Sequence, residues 1–133
     1  MTDPTATGPI PLRVLVVDPD DRIRESITRL LPIGGRCAVV GSAGTTTSAE
    51  AIAESFAPDV AVIDSRLPDE CADGFVNRLR AIVPGIRIVV LNWNDDATEP
   101  APTFIGADAY IRKTFRPHEL IDAVISAARV PAA

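Results

Sequence analysis

The chain has 133 residues, of which 47% are hydrophobic, 23% charged and 5% aromatic. This composition is typical of one globular domain, and a chain of this length buries about two-thirds of its unfolded surface without help from disulfides or a structural metal. Thirteen basic residues against 18 acidic ones give a formal charge of −5, which argues against non-specific nucleic-acid binding. No apolar run approaches the ~20 residues that cross a bilayer, so we expect no membrane insertion.

The N-terminal stretch lacks both the basic start and the apolar centre of a secretory signal, which predicts a cytoplasmic protein. We predict a flexible tail over 1–11, one folded domain over 12–129 and a short C-terminal tail over 130–133. Two cysteines and one histidine are too few for a Cys/His metal site. We expect both thiols to be reduced, with Cys37 packed in a strand and Cys71 in an exposed loop.

Short apolar runs alternate with segments of helical periodicity along the domain. The predicted strands are Arg13–Asp18, Arg36–Ala43, Val60–Asp64, Arg87–Asn92 and Ala109–Arg112. The predicted helices cover 21–31, a segment from the Thr45–Ser48 cap region to Phe56, a segment from Gly74 to Val83, and a last segment that Pro117 opens. Near-continuous apolar strands separated by helices predict a doubly wound α/β domain with a five-stranded parallel sheet.

The segment between the fourth and fifth strands departs from this regular alternation. Pro100 and Pro102 restrict a fourth helix there to about one turn, between Pro102 and Ile105. We therefore expect a shortened fourth helix.

Polar side chains follow the predicted strands where ligands of doubly wound sheets bind, at the carboxyl ends. Asp18 ends the first strand and Asp64 the third, while Lys113 follows the fifth. Carboxylate oxygens suit Mg²⁺, and a metal, a carboxylate nucleophile and a lysine together suit phosphoryl transfer.

The same residues also have structural explanations. Asp20 and Asp21 are suited to cap the first helix. Asp64 and Lys113 could form a structural ion pair. A carboxylate that closes a buried strand nevertheless costs desolvation energy unless it is paired, so Asp64 remains the strongest candidate.

Three stretches follow one another along the chain: VLVVD ending in Asp18, PDVAVIDSRLP around Asp64, and GADAYIRK ending in Lys113. Together they resemble the receiver domain of bacterial two-component response regulators. The resemblance implies a flavodoxin-like fold with strand order 2-1-3-4-5. It implies that Asp64 accepts a phosphoryl group from a histidine kinase or a phosphotransfer protein. It further implies that Lys113 contacts this group and that Tyr110 is a switch residue.

The resemblance also implies a Mg²⁺ ion held by Asp18, Asp64 and the backbone carbonyl of Arg66. In the family a second acidic residue after strand one is a direct metal ligand, but Pro19 stands there and has no ligating side chain. Either Asp20 takes its place or Mg²⁺ binding is weakened.

Two further departures concern the switch. Asn92 stands where a serine or threonine normally ends strand four, and its amide can still contact the phosphoryl group. Trp93 replaces a small residue and could cover the site. The shortened fourth helix alters the face it forms with strand five and the last helix, through which receivers usually signal or form homodimers.

These features predict a stand-alone, atypical receiver, not an enzyme, that signals by contact with an unknown downstream protein. The alternative is a pseudo-receiver of the same fold that binds its partner regardless of phosphate. An aspartyl phosphatase resembling the haloacid dehalogenase family would need a second aspartate where Arg66 stands. A flavodoxin-like cofactor binder would need a glycine-rich phosphate loop where Pro19-Asp20-Asp21 stands.

Overall fold

The computed structural model describes residues 10–67, 74–92, 106–112 and 116–129. Strands and helices alternate through these residues as predicted, except between the last two strands, where residues 93–105 are not described. The strands are β1 (Leu12–Val17), β2 (Cys37–Ala43), β3 (Val60–Asp64), β4 (Arg87–Asn92) and β5 (Ala109–Arg112). The described helices are α1 (Asp21–Leu30), α2 (Thr46–Phe56), α3 (Phe75–Ile82) and α4 (Pro117–Ala128).

The strands form one parallel sheet in the order β2-β1-β3-β4-β5. This confirms the predicted fold and strand order. Val17 of β1 pairs with Ile63 of β3, and Ile63 pairs with Val90 of β4. The carboxyl ends of the three central strands therefore meet at one edge, where the strand order reverses between β1 and β3.

Both faces of the sheet are covered by helices, which explains why the central strands β1, β3 and β4 are mostly apolar and buried. On one face, Leu15 and Ile63 pack in a cluster with Phe75 of α3 and small residues of α2. On the other face, the cluster includes Ile27 of α1 and Leu120 of α4. The two clusters pack on opposite faces of the sheet and fix the strands relative to one another.

The helices begin at the residues that the sequence indicated. Oδ1 of Asp20 accepts hydrogen bonds from the N–H groups of Arg22 and Ile23 at 2.9 and 3.1 Å, which caps α1. Thr45 Oγ1 caps α2 by accepting the N–H of Ser48 at 3.1 Å. The predicted capping role of Asp20 is therefore present in the structure.

Several predictions fall outside the described residues. These are the one-turn fourth helix, most of the two tails, and the positions of Cys71, Trp93 and Lys113. Cys37 is 3% exposed, as expected for strand packing. None of the described helices is long and apolar enough to cross a membrane.

Candidate functional site

Two buried carboxylates lie side by side at the carboxyl edge of the sheet. Asp64 is the last residue of β3, and Asp18 directly follows β1. Val17 pairs with Ile63 across the two parallel strands. Asp18 and Asp64, which follow this pair along the chain, are therefore neighbours. Each is only 1% exposed. A buried carboxylate is costly unless hydrogen bonds or opposite charges stabilise it, so this pair, the acidic pocket, is the candidate functional site.

The carboxylate of Asp64 is bound by Arg66, two residues further along the chain. Oδ1 of Asp64 accepts hydrogen bonds from the backbone N–H of Arg66 at 2.7 Å and from Nε of the Arg66 side chain at 3.4 Å. Oδ2 of Asp64 accepts a hydrogen bond from Nη2 of Arg66 at 3.2 Å. The Arg66 side chain is itself 47% exposed. The hydrogen bond to Asp64 raises the pKa of Arg66, and the charges of Asp64, Asp18 and Asp20 add to this effect.

Sequence reasoning considered only the backbone carbonyl of Arg66 and missed its side chain. The available signal was the spacing, because a long cation two residues after a buried carboxylate can turn back onto it. The Arg66–Asp64 contact is therefore an addition to the predicted site.

The loop after β1 is ordered by hydrogen bonds of its own. Oδ1 of Asp18 accepts the N–H of Asp20 at 2.8 Å. The carbonyl of Asp18 accepts Nη1 of Arg24 at 2.8 Å, and Nη2 of Arg24 pairs with exposed Asp21 at 2.6 Å. Among the acids of this loop, Asp18 is the one that is buried beside Asp64.

The remaining predicted residues lie on or next to the outer strands. Asn92 is the half-buried last residue of β4, and its register partner on β5 is Arg112. Tyr110 of β5 is 40% exposed. Trp93 follows β4 and Lys113 follows β5, but both lie outside the described residues, so their roles stay predictions.

Comparison with known proteins identifies the family. The sequence model of the response regulator receiver domain matches residues 14–125. The chain is 32% identical to the DNA-binding transcriptional activator DevR/DosR of Mycobacterium tuberculosis, over 85% of this chain and 52% of that protein. It is 33% identical to the response regulator MprA of Mycolicibacterium vanbaalenii, over 84% of this chain and 48% of that protein. The chain belongs to the response regulator receiver family.

Solved structures agree with this assignment. The signal receiver domain of NarL from Mycobacterium tuberculosis is 25% identical and superposes with a TM-score of 0.74, covering 92% of this chain and all of that one. The response regulator domain of Thermotoga maritima CheB shares the fold at 24% identity, with a TM-score of 0.75 and coverage of 92% and 99%. The chain spans about half the length of the curated relatives that it matches.

Receiver domains generally bind Mg²⁺ at their acidic pocket, and two buried carboxylates are suitable ligands. In this chain, however, both oxygens of Asp64 accept hydrogen bonds from Arg66, and Pro19 offers no ligand. Among the described residues, no group of three or more His, Cys, Asp or Glu is arranged to hold a metal. A divalent cation on Asp64 would be repelled by the adjacent guanidinium.

The described residues, as they are arranged, therefore do not fit a Mg²⁺ ion. The Mg²⁺ site predicted from Asp18, Asp64, Asp20 and the Arg66 carbonyl would require the Arg66 side chain to leave Asp64. That site stays a prediction.

Proposed function

We propose that this chain is a signalling receiver in which Asp64 takes a phosphoryl group from the phosphohistidine of a histidine kinase or a phosphotransfer protein. The observation that carries this proposal is that Asp64 is a buried carboxylate at the carboxyl end of a central strand, beside Asp18. Membership of the receiver family supports the class of donor. The protein acts as a signal carrier and not as an enzyme with a separate substrate.

In the proposed transfer, a carboxylate oxygen of Asp64 attacks the phosphorus atom and forms a P–O bond. The P–N bond of the phosphohistidine breaks, and the imidazole leaves with the electron pair of that bond. The other ring nitrogen carries the proton, so the leaving imidazole is neutral. The product is an acyl phosphate on Asp64. Lys113 and Asn92 are the proposed contacts of the transferred group, because donors aimed at developing charge stabilise such a transition state.

We propose that the signal leaves through the face formed by β5 and the last helix, α4 (Pro117–Ala128). Tyr110 of β5 is 40% exposed, so a change at the strand end can alter what this face presents. Tyr110 and Trp93 together form the proposed switch. The recipient is a downstream protein or a second copy of this chain. Cytoplasmic location and action as a stand-alone receiver stay predictions from the sequence.

The test is phosphorylation of the purified chain by acetyl phosphate or a histidine kinase, measured by intact-protein mass spectrometry. We expect the wild type to gain one phosphoryl group and Asp64→Asn to gain none, because the amide is not a nucleophile of comparable strength. Asp122→Asn is the matched control. Asp122 pairs with Arg36 in an exposed ion pair at 2.6 Å, remote from Asp64.

One observation favours the alternative, a phosphorylation-independent pseudo-receiver. The Arg66 side chain contacts both oxygens of Asp64, and a guanidinium that stayed there would keep an incoming phosphoryl group from the carboxylate. If folded wild-type protein takes up no phosphoryl group and Asp64→Asn binds its partner equally well, the pseudo-receiver is the correct assignment.

A further inference from the structure

We propose that the guanidinium of Arg66 acts as a resident cation in the acidic pocket and makes phosphorylation of Asp64 independent of a divalent metal. This inference rests on the proposed function. It concerns the positive charge beside Asp64 during transfer. Receivers of this family generally bind Mg²⁺ at this pocket.

The first argument is the contact between Arg66 and Asp64. Nε faces Oδ1 at 3.4 Å and Nη2 faces Oδ2 at 3.2 Å, so the planar guanidinium lies along the carboxylate in a fork arrangement. The backbone N–H of Arg66 adds a third hydrogen bond at 2.7 Å. A guanidinium stays charged at any pH at which the domain is folded, so this counter-charge is permanent.

The second argument is the set of ligands around the pocket. Pro19 brings no ligand, and Oδ1 of Asp20 is occupied by two N–H groups of α1. The position after Asp18 therefore carries no acidic ligand, and a cation lies on Asp64. Both features lower the affinity for Mg²⁺, and the second also supplies positive charge of the kind that a bound metal would provide.

The third argument is the exposure of Arg66. Its side chain is 47% exposed while that of Asp64 is 1% exposed. The guanidinium can thus shift from the carboxylate to the oxygens of an incoming phosphoryl group without unpacking the core. Arginine binds carboxylate and phosphate with the same fork of donors, which suits it to both states.

The experiment follows phosphorylation by acetyl phosphate over time, in EDTA and in Mg²⁺, by intact-protein mass spectrometry. We expect the wild type to react at similar rates in the two buffers. Arg66→Gln should lose about 10-fold or more of its rate in EDTA, as expected when a donor to developing charge is removed, and should be rescued by Mg²⁺. Arg66→Lys keeps the charge and should keep part of the metal-independent rate.

A second measurement is independent of phosphorylation. We expect calorimetric titration with Mg²⁺ to give an affinity about 10-fold higher for Arg66→Gln than for the wild type, because a repelling charge is removed. Arg78→Gln is the matched control. Arg78 pairs with Glu50 at the same 3.2 Å and is 44% exposed, but it lies on α3. Thermal melting shows whether each variant is folded.

The possible results separate the inference from the proposed function. If the wild type requires Mg²⁺ and Arg66→Gln behaves identically, the inference is overturned and the receiver function stands. If folded wild-type protein gains no phosphoryl group in either buffer, the proposed function fails and the inference fails with it. Metal-independent transfer that disappears in Arg66→Gln but persists in Arg78→Gln supports both.

Discussion

At the residue scale, the acidic pocket depends on a few contacts around two buried carboxylates. Asp18 and Asp64 are excluded from solvent, and their negative charges would repel each other without compensation. Hydrogen bonds from the guanidinium of Arg66 and from the N–H groups of Arg66 and Asp20 compensate part of this negative charge. A buried polar group that loses its partner is costly, so these residues stabilise the pocket as well as shape it.

Cys37 offers a prediction at the same scale. Burial raises the pKa of its thiol, and the charge of Arg36 offsets this only in part. Because the thiolate is the reactive form, raising the pKa leaves less of it near pH 8. We expect Cys37 not to react with a thiol reagent such as Ellman's reagent in the folded protein and to react after denaturation.

The second thiol provides the control for this measurement. Cys71, predicted in an exposed loop, should account for the fast reaction of the native protein, and Cys71→Ser should abolish that phase. Fast labelling of folded Cys71→Ser protein would contradict the buried position of Cys37.

At the element scale, the contact between α2 and β2 depends on Gly41. A Cβ atom at this position would lie 2.6 Å from Cγ2 of Ile52, closer than packed carbon atoms allow. The register of β1 and β2 also shifts here, from Val14 opposite Val39 to Leu15 opposite Gly41. A bulge and a close helix approach thus coincide at one glycine.

We expect Gly41→Ala to lower the free energy of unfolding by about 1–3 kcal/mol, the usual cost of overpacking. Urea unfolding monitored by circular dichroism measures the change. Gly44→Ala is the control, because its Cβ would meet the flexible end of Arg24 at 2.8 Å. Equal losses in the two variants would show that the contact with Ile52 is not responsible.

At the scale of the whole molecule, Asp108 ties the edge strand to the rest of the domain. Its Oδ2 accepts the backbone N–H of Ile88 at 2.7 Å and Nη2 of Arg80 at 3.0 Å. Its Oδ1 accepts Nη1 of Arg87 at 3.4 Å. One carboxylate thereby joins α3, β4 and the start of β5, the short strand that carries Tyr110.

We expect Asp108→Ala to cost about 2 kcal/mol of unfolding free energy, because it leaves a backbone N–H and two cations without this acceptor. Asp122→Ala removes only an exposed partner of Arg36 and should cost at most about 1 kcal/mol. Thermal and urea unfolding of the two variants provide the comparison. A smaller loss for Asp108→Ala than for Asp122→Ala would exclude the anchoring role.

Much of the fold was predictable because its determinants are local. Apolar strands, helical periodicity and end signals such as Thr45 and Pro117 are read over a few residues. The strand order came from the resemblance to receivers and is confirmed. β1 begins one residue earlier than predicted, because the N–H of Leu12 bonds to the carbonyl of Arg36 at 2.9 Å. That bond joins residues far apart in sequence.

The sequence by itself determined the alternation of strands and helices and the position of Asp18 and Asp64 at strand ends, because periodicity and strand ends are local properties. Only the tertiary structure decided that Arg66 turns back onto Asp64, since an exposed arginine has many rotamers until a buried carboxylate selects one. It likewise decided that Asp108 joins Arg80 and Ile88. The Asp108 contacts depend on strands and helices that the core brings together, and no short stretch of sequence encodes them.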